Sequence, residues 1–237
     1  MAKDLLNIIA IGDIHGSTDW KEIVKAQPNS IYIFLGDYLD PYREISEDAL
    51  IDNLKEIVAL KKENPENVVL LLGNHDVHYF SAIDRGERYN MFIANEVRKI
   101  FREKPALFQN AFQIKNLLFT HAGVSQLWFD KYFKGNINEN IADQLNNPTL
   151  EQEAALEQCG RGRGGNLPCG GIFWAYYLEL EEPLRDFIQI VGHTSMDKIT
   201  EVKEKNGTIW LCDALAEKQY LKISGDLQNF EIEHVKI

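Results

Sequence analysis

Several things are scarce in this sequence, and each scarcity removes a class of function. None of the chain approaches the roughly 18 consecutive apolar residues that a transmembrane helix needs, and the opening MAKDLLN lacks the long apolar core of a secretory leader. Cysteine is sparse. Cys159, Cys169 and Cys212 are odd in number and form no C-x-x-C pair, which argues against a disulfide framework and for free or buried thiols in a reducing, cytoplasmic compartment. Positive charge is also short: 25 Lys and Arg stand against 36 Asp and Glu, a formal net charge of −11. The resulting field repels nucleic acid phosphates and anionic membranes, so neither is expected as a partner. Linkers, repeats and low-complexity tracts are missing too, and 237 residues suffice for one large core. The expectation is a single domain over residues 1–237.

What is present is a repeating device. Ile8 to Ile11 form a short apolar run that ends in G-D-I-H-G, Ile31 to Leu35 run into G-D-Y-L-D, and Val68 to Leu72 run into G-N-H-D. Short apolar runs bounded by glycine read as buried strands. Between them lie helical stretches: one around Trp20, Ile23 and Val24, capped by Ser17 or Thr18, and one starting at Ser46 with Leu50, Leu54, Ile57 and Val58 at helical spacing. Strand, loop and helix recurring in this order argue for a parallel sheet whose strand ends deliver polar groups to one edge.

Further along, the pattern predicts a helix from Asn90 to Glu103 with Phe92, Ile93, Val97 and Ile100 on one face, and two strands around Lys115-Asn116, the second ending at H-A-G. A mostly helical segment from Val124 to Gln158, broken at Gly135 and Pro148, leads into the glycine-rich C-G-R-G-R-G-G-N-L-P-C-G-G; the two span about 124–171. Phe187 to Val191 read as a strand ending in G-H-T, and strands at 199–203 and 208–212 flank an Asn206-Gly207 turn, with two more near Tyr220 and Phe230. The fold class expected is α/β: two packed mixed sheets flanked by helices, in four layers.

Five strand ends thus carry G-D-I-H-G, G-D-Y-L-D, G-N-H-D, H-A-G and G-H-T. Glycine lets backbone approach a ligand closely, and acid, amide and imidazole groups bind hard or borderline metal ions. A pair of divalent ions about 3.5–4 Å apart needs a bridging carboxylate, several terminal ligands and open positions for water and substrate. This set contains those groups.

In this order the motifs resemble the calcineurin-like metallophosphoesterase superfamily, from Asp13 to His193. The resemblance implies that Asp13 and His15 bind a first metal, that Asp37 bridges both, and that Asn74, His121 and His193 bind the second. His75 is then the catalytic histidine, held by Asp40. It implies two divalent ions, manganese first, with iron or zinc as alternatives, and hydrolysis of phosphate monoesters by a metal-bridging hydroxide with His75 protonating the leaving group. The substrate would be a phosphorylated small molecule, nucleotide or protein. Where many members have a second His in G-H-x-H this chain has Ser195, which looks like the phosphoprotein phosphatase branch and its diadenosine tetraphosphatase relatives. Those relatives carry arginines at the places of Pro41 and Leu72. Arg43, Arg161 and Arg163 are the candidates to replace them at the substrate phosphate, with Arg163 preferred.

Blander readings stand beside these. His75 could serve as structural support, Arg161 and Arg163 could belong to a solvated loop, and His78 and His234 fall outside the motifs and read as ordinary histidines. Trp20, Trp128 and Trp174 read as core, while Asp213 could support the metal site from behind. A phosphoanhydride hydrolase of the diadenosine tetraphosphatase type and a non-catalytic binding scaffold remain as alternative functions. The oligomeric state is not legible.

Overall fold

The first apolar run forms β1 (Leu5–Ile11), buried at Leu6 and from Ile8 to Ile11. It is followed by α1 (Trp20–Ala26), β2 (Ile31–Phe34), α2 (Glu47–Glu63), β3 (Val68–Leu71), the one-turn α3 (Asn74–Val77), α4 (Ala94–Phe101) and the short β4 (Phe108–Gln109). Next come β5 (Ala111–Ile114), β6 (Leu117–Thr120), a π-helical segment (Trp128–Phe133), α5 (Ile141–Asn146), α6 (Leu150–Leu156) and 3-10 turns at Arg161–Arg163 and Tyr177–Leu180. The chain closes with β7 (Ile188–Ser195), β8 (Thr200–Lys203), β9 (Thr208–Asp213), a 3-10 turn at Leu215–Glu217, β10 (Gln219–Asp226) and β11 (Phe230–Lys236). The structure, a computed structural model, describes residues 5–80, 86, 88–103 and 106–237. Among them no helix is long and apolar enough to cross a membrane, and all three cysteines are free thiols.

Two compact units divide the chain, Met1–Gln109 with Ala214–Ile237, and Asn110–Asp213. The first is built on a six-stranded sheet in the order β11-β10-β1-β2-β3-β4. β1 to β4 run parallel, whereas β10 is antiparallel to β1. Because β1, β2 and β3 point the same way, G-D-I-H-G, G-D-Y-L-D and G-N-H-D emerge at one edge, as their repetition predicts. α2 shows why the intervening segments are helical. Ser46 Oγ accepts from Ala49 N at 3.3 Å, Glu47 and Asp48 lie at the positive end of the helix dipole, and Leu50, Ile51, Leu54, Ile57 and Val58 form the buried face. Burying each such side chain contributes about 1.5–3 kcal/mol, more than any helix propensity in the segment.

The second unit carries the sheet β5-β6-β7-β9-β8. β5 and β6 form the expected hairpin about Lys115-Asn116, with Ile114 opposite Leu117 and Lys115 at φ 52°. β6, β7 and β9 are parallel and β8 is antiparallel to β9. With two mixed sheets and flanking helices, the fold class is the expected one.

Some local expectations need correction. The helix predicted from Asn90 starts only at Ala94, and Phe92, expected on its apolar face, lies in the preceding turn with 80% of its surface exposed. Asp19, not Ser17 or Thr18, is the residue at the start of α1; Ser17 Oγ instead bonds the Asp19 carboxylate and N–H, an early local turn. G-H-T does not follow its strand but lies within β7, where the pairing with β9 is irregular between Val191 and Ser195. A bulge of this kind re-aims side chains without ending the strand.

Candidate functional site

In the first unit the G-D-Y-L-D and G-N-H-D loops are laced together by a residue that carries no part in the sequence assignment. Asp76, fully buried, accepts the backbone N–H of Asp37 at 2.7 Å and of Gly73 at 2.8 Å through Oδ2, and that of Tyr38 at 3.1 Å through Oδ1. His75 N–H returns the contact, donating to Asp37 Oδ1 at 2.9 Å. Burial raises the Asp76 pKa toward about 7, against the three N–H bonds, which lower it. The interlock depends on glycine: a Cβ on Gly73 would lie 2.1 Å from Asp37 Oδ1, and Gly36 has φ +107° with a hypothetical Cβ 2.6 Å from Gly73 N. His15, Asp37 and Asp40 are themselves held at φ 40°, 51° and 58°. Left-handed backbone in such residues costs of order 1–3 kcal/mol and persists only where the surroundings dictate it.

These constraints bring Asp13, His15 and Asp37 together, with a ligand atom of each within 4.8 Å of the others. His15 Nδ1 lies 2.8 Å from the Leu39 carbonyl, which can only accept, so Nδ1 carries the proton. Nε2 is therefore the basic nitrogen, 3.6 Å from Asp37 Oδ2 and 4.0 Å from Asp13 Oδ2. Burial, opposed by the Leu39 bond and reinforced by the charges of His75 and Arg88, lowers the His15 pKa to about 4. A neutral imidazole with its tautomer set by a carbonyl, beside two buried carboxylates, is a set of donors that could hold a divalent ion. Asn74 opens α3 at the same sheet edge and is buried.

Asp40, His75 and His78 form a second group of three donors, but its bonding is that of a hydrogen-bond network. Asp40 Oδ2 lies 3.0 Å from His75 Nδ1 and 2.8 Å from His78 Nε2, and Oδ1 accepts from Tyr79 Oη at 2.7 Å. Burial alone would raise the Asp40 pKa; the bonds from His75, His78 and Tyr79 reverse this and leave it below the ordinary carboxyl value. Asp40 therefore stays ionised and holds the His75 ring through Nδ1. Arg43 is exposed on the loop after Asp40.

The second unit holds the remaining expected residues. His121, fully buried at the end of β6, and His193 in β7 face each other with ring centroids 5.0 Å apart. His193 has φ 64°, and the Trp174 ring meets it edge-on at 6.0 Å. The glycine-rich loop is organised by Glu179, which accepts from Gly162 N at 2.8 Å, Gly170 N at 2.9 Å and Tyr176 N at 3.1 Å. Of its two arginines, Arg161 is exposed, while Arg163 is half-buried, with Nη2 donating to Thr194 Oγ1 at 3.0 Å and its guanidinium 5.2 Å from the Tyr176 ring centroid. Asp213, at the end of β9, has its pKa raised to about 6 by burial, with the Arg163 charge acting in the opposite sense.

Four residues of the site escaped the sequence reading. Asp76 is the last letter of G-N-H-D and was visible there; His78 lies one helical turn after His75, which could have suggested a shared neighbour. Tyr79 and Arg88 sit in no motif, and only folding brings them to Asp40 and His75.

The family model for calcineurin-like phosphoesterases matches residues 6–225. No match is found among curated proteins. Among solved structures, a cold-active protein-tyrosine phosphatase of a psychrophilic Shewanella species is similar, with TM-score 0.57 and 15% identity over 98% of this chain and 82% of that one. A protein serine/threonine phosphatase of Saccharomyces cerevisiae is similar too, with TM-score 0.57 and 17% identity over 98% of this chain and 80% of that one. With nearly its whole length matched, the chain belongs to the calcineurin-like phosphoesterase family and is a hydrolase.

Proposed function

We propose that this single catalytic domain is a phosphatase that hydrolyses phosphate monoesters at a centre of two divalent ions. The observation that carries the reading is the joining of Asp13, His15 and Asp37 into one buried donor group beside the His75–Asp40 pair. The motif order assigns the first ion to these three residues, and the second to Asp37, Asn74, His121 and His193. Manganese suits these oxygen and nitrogen donors, as do iron and zinc. When bound, such ions activate a water and neutralise charge on the phosphoryl group. The chain's own contribution is positional. Asp76 fixes the backbone of Asp37, Leu39 sets the His15 tautomer, and Asp40 orients His75 so that its Nε2 can serve the leaving oxygen. Of the three candidate arginines for substrate phosphate, Arg163, whose Nη2 donates to Thr194 Oγ1, is preferred over Arg161 and Arg43.

The test is metal reconstitution. Chelator-stripped protein reloaded with manganese is expected to hold two ions per chain and to hydrolyse para-nitrophenyl phosphate or a phosphopeptide, with cyclic nucleotides and dinucleoside polyphosphates assayed in parallel. Asp37→Asn should remove both ions and the activity. Full activity with one ion per chain or none would sink the dinuclear reading, and turnover of dinucleoside polyphosphates alone would favour an anhydride substrate.

A further inference from the structure

Arg88 stands outside every motif, yet its placement is specific. Its Nη2 lies 3.0 Å from His75 Nε2, and its guanidinium carbon sits 3.7 Å from the centroid of the Tyr42 ring. Tyr42 in turn meets the His15 ring edge-on at 4.9 Å. The turn that carries Arg88 is tied to the same carboxylate that orients His75: Asn90 N donates to Tyr79 Oη at 3.2 Å, and Tyr79 donates to Asp40. Tyr89 stacks on Tyr79 at 4.8 Å, and Arg88 itself takes φ 61°. A solvated surface arginine needs none of these ties.

The contact with His75 is chemically incomplete. Guanidinium nitrogens only donate, so His75 Nε2 is the acceptor in this contact and the Arg88 cation gains no anionic partner from it. A phosphoryl oxygen would give the same donors a charge-assisted and bidentate partner, which is shorter and stronger. Stacking on Tyr42 keeps the guanidinium plane in position while its edge changes partner. Access is open: Tyr42 is 74% exposed.

We infer that Arg88, held against Tyr42, is a binding residue for the phosphoryl group of the substrate, and that an arriving phosphate dianion takes its guanidinium from His75 and so uncovers Nε2. This rests on the phosphatase reading above and adds to it a cation that the motifs do not supply. The probe is inorganic phosphate, titrated calorimetrically into manganese-loaded wild type, Arg88→Ala and Arg88→Lys, with manganese content measured on each and KM and kcat for para-nitrophenyl phosphate determined alongside. Manganese content should be unchanged. The phosphate dissociation constant should rise about 10–100-fold in Arg88→Ala, as for loss of a charge-assisted hydrogen bond, and by less in Arg88→Lys, which keeps the charge and loses the fork. KM should rise in the same order. Wild-type affinity in Arg88→Ala, loss of manganese from it, or a wild type that binds no phosphate would each overturn the inference. If phosphate binds through Arg88 but no ester is turned over, the Arg88 inference stands and the phosphatase reading falls.

Discussion

Asp76→Asn is the sharpest test of how the metal-binding loops are held, because it changes one atom and almost no volume. The carboxylate accepts three backbone N–H groups, two on Oδ2 and one on Oδ1. An asparagine has one accepting oxygen. It can keep the bonds from Asp37 and Gly73 by turning its carbonyl toward them, but its NH2 then faces the N–H of Tyr38, donor against donor. The opposite orientation loses two bonds, so the first is preferred. Losing one hydrogen bond to a charged acceptor costs about 1.5–3 kcal/mol, and a buried donor left unsatisfied costs about 1–3 kcal/mol. These overlap, since both count the same N–H, so a loss of about 2–3 kcal/mol is expected. At roughly 2–4 °C per kcal/mol for a chain of this size, the melting temperature should fall by about 4–12 °C. Thermal unfolding followed by circular dichroism on metal-free protein measures this. Manganese affinity should drop as well, by about 10–100-fold, because Asp76 orients Asp37 from behind. A metal-free variant melting within about 2 °C of wild type would refute the idea that this carboxylate carries the interlock.

Glu179→Ala should release the glycine-rich loop, since one carboxylate accepts from Gly162, Gly170 and Tyr176. Limited trypsin digestion should then cut faster after Arg161 and Arg163, and an unchanged digestion rate would show that the loop is held by other contacts. His15 makes a pH prediction for metal-free protein. Its folded pKa is lowered to about 4, whereas the unfolded chain titrates at about 6.5. The unfolded state therefore binds more protons between these values, so stability is fully present above about pH 6.5 and falls as pH drops toward 4, by on the order of 3 kcal/mol. Urea midpoints at several pH values should show this slope in wild type and a flatter one in His15→Gln; equal slopes would remove His15 as the cause.

The strand ends were legible because their signal is local. An apolar run closing on glycine and a polar group is a statement about consecutive residues, and β1, β2 and β3 follow it; the hairpin about Lys115-Asn116 is equally local. Parallel order was legible too, because each motif is separated from the next by a helical segment that must return the chain to the same end of the sheet. Helix boundaries were less so: Phe92 fits an apolar stripe by spacing, but the turn at 91–93 places it in solvent. What only tertiary structure decided is which groups serve the motif residues. Asp76 looks like one more acid in sequence and becomes the acceptor for N–H groups on two loops; His78, Tyr79 and Arg88 join Asp40 and His75 although periodicity singles out none of them. The physical reason lies in range. Hydrophobic period and turn chemistry act over a few residues and leave a trace in the string of letters, whereas a hydrogen bond such as Asp37 N to Asp76, 39 residues away, or a tautomer set by Leu39 on His15, exists only once the backbone has been folded around it.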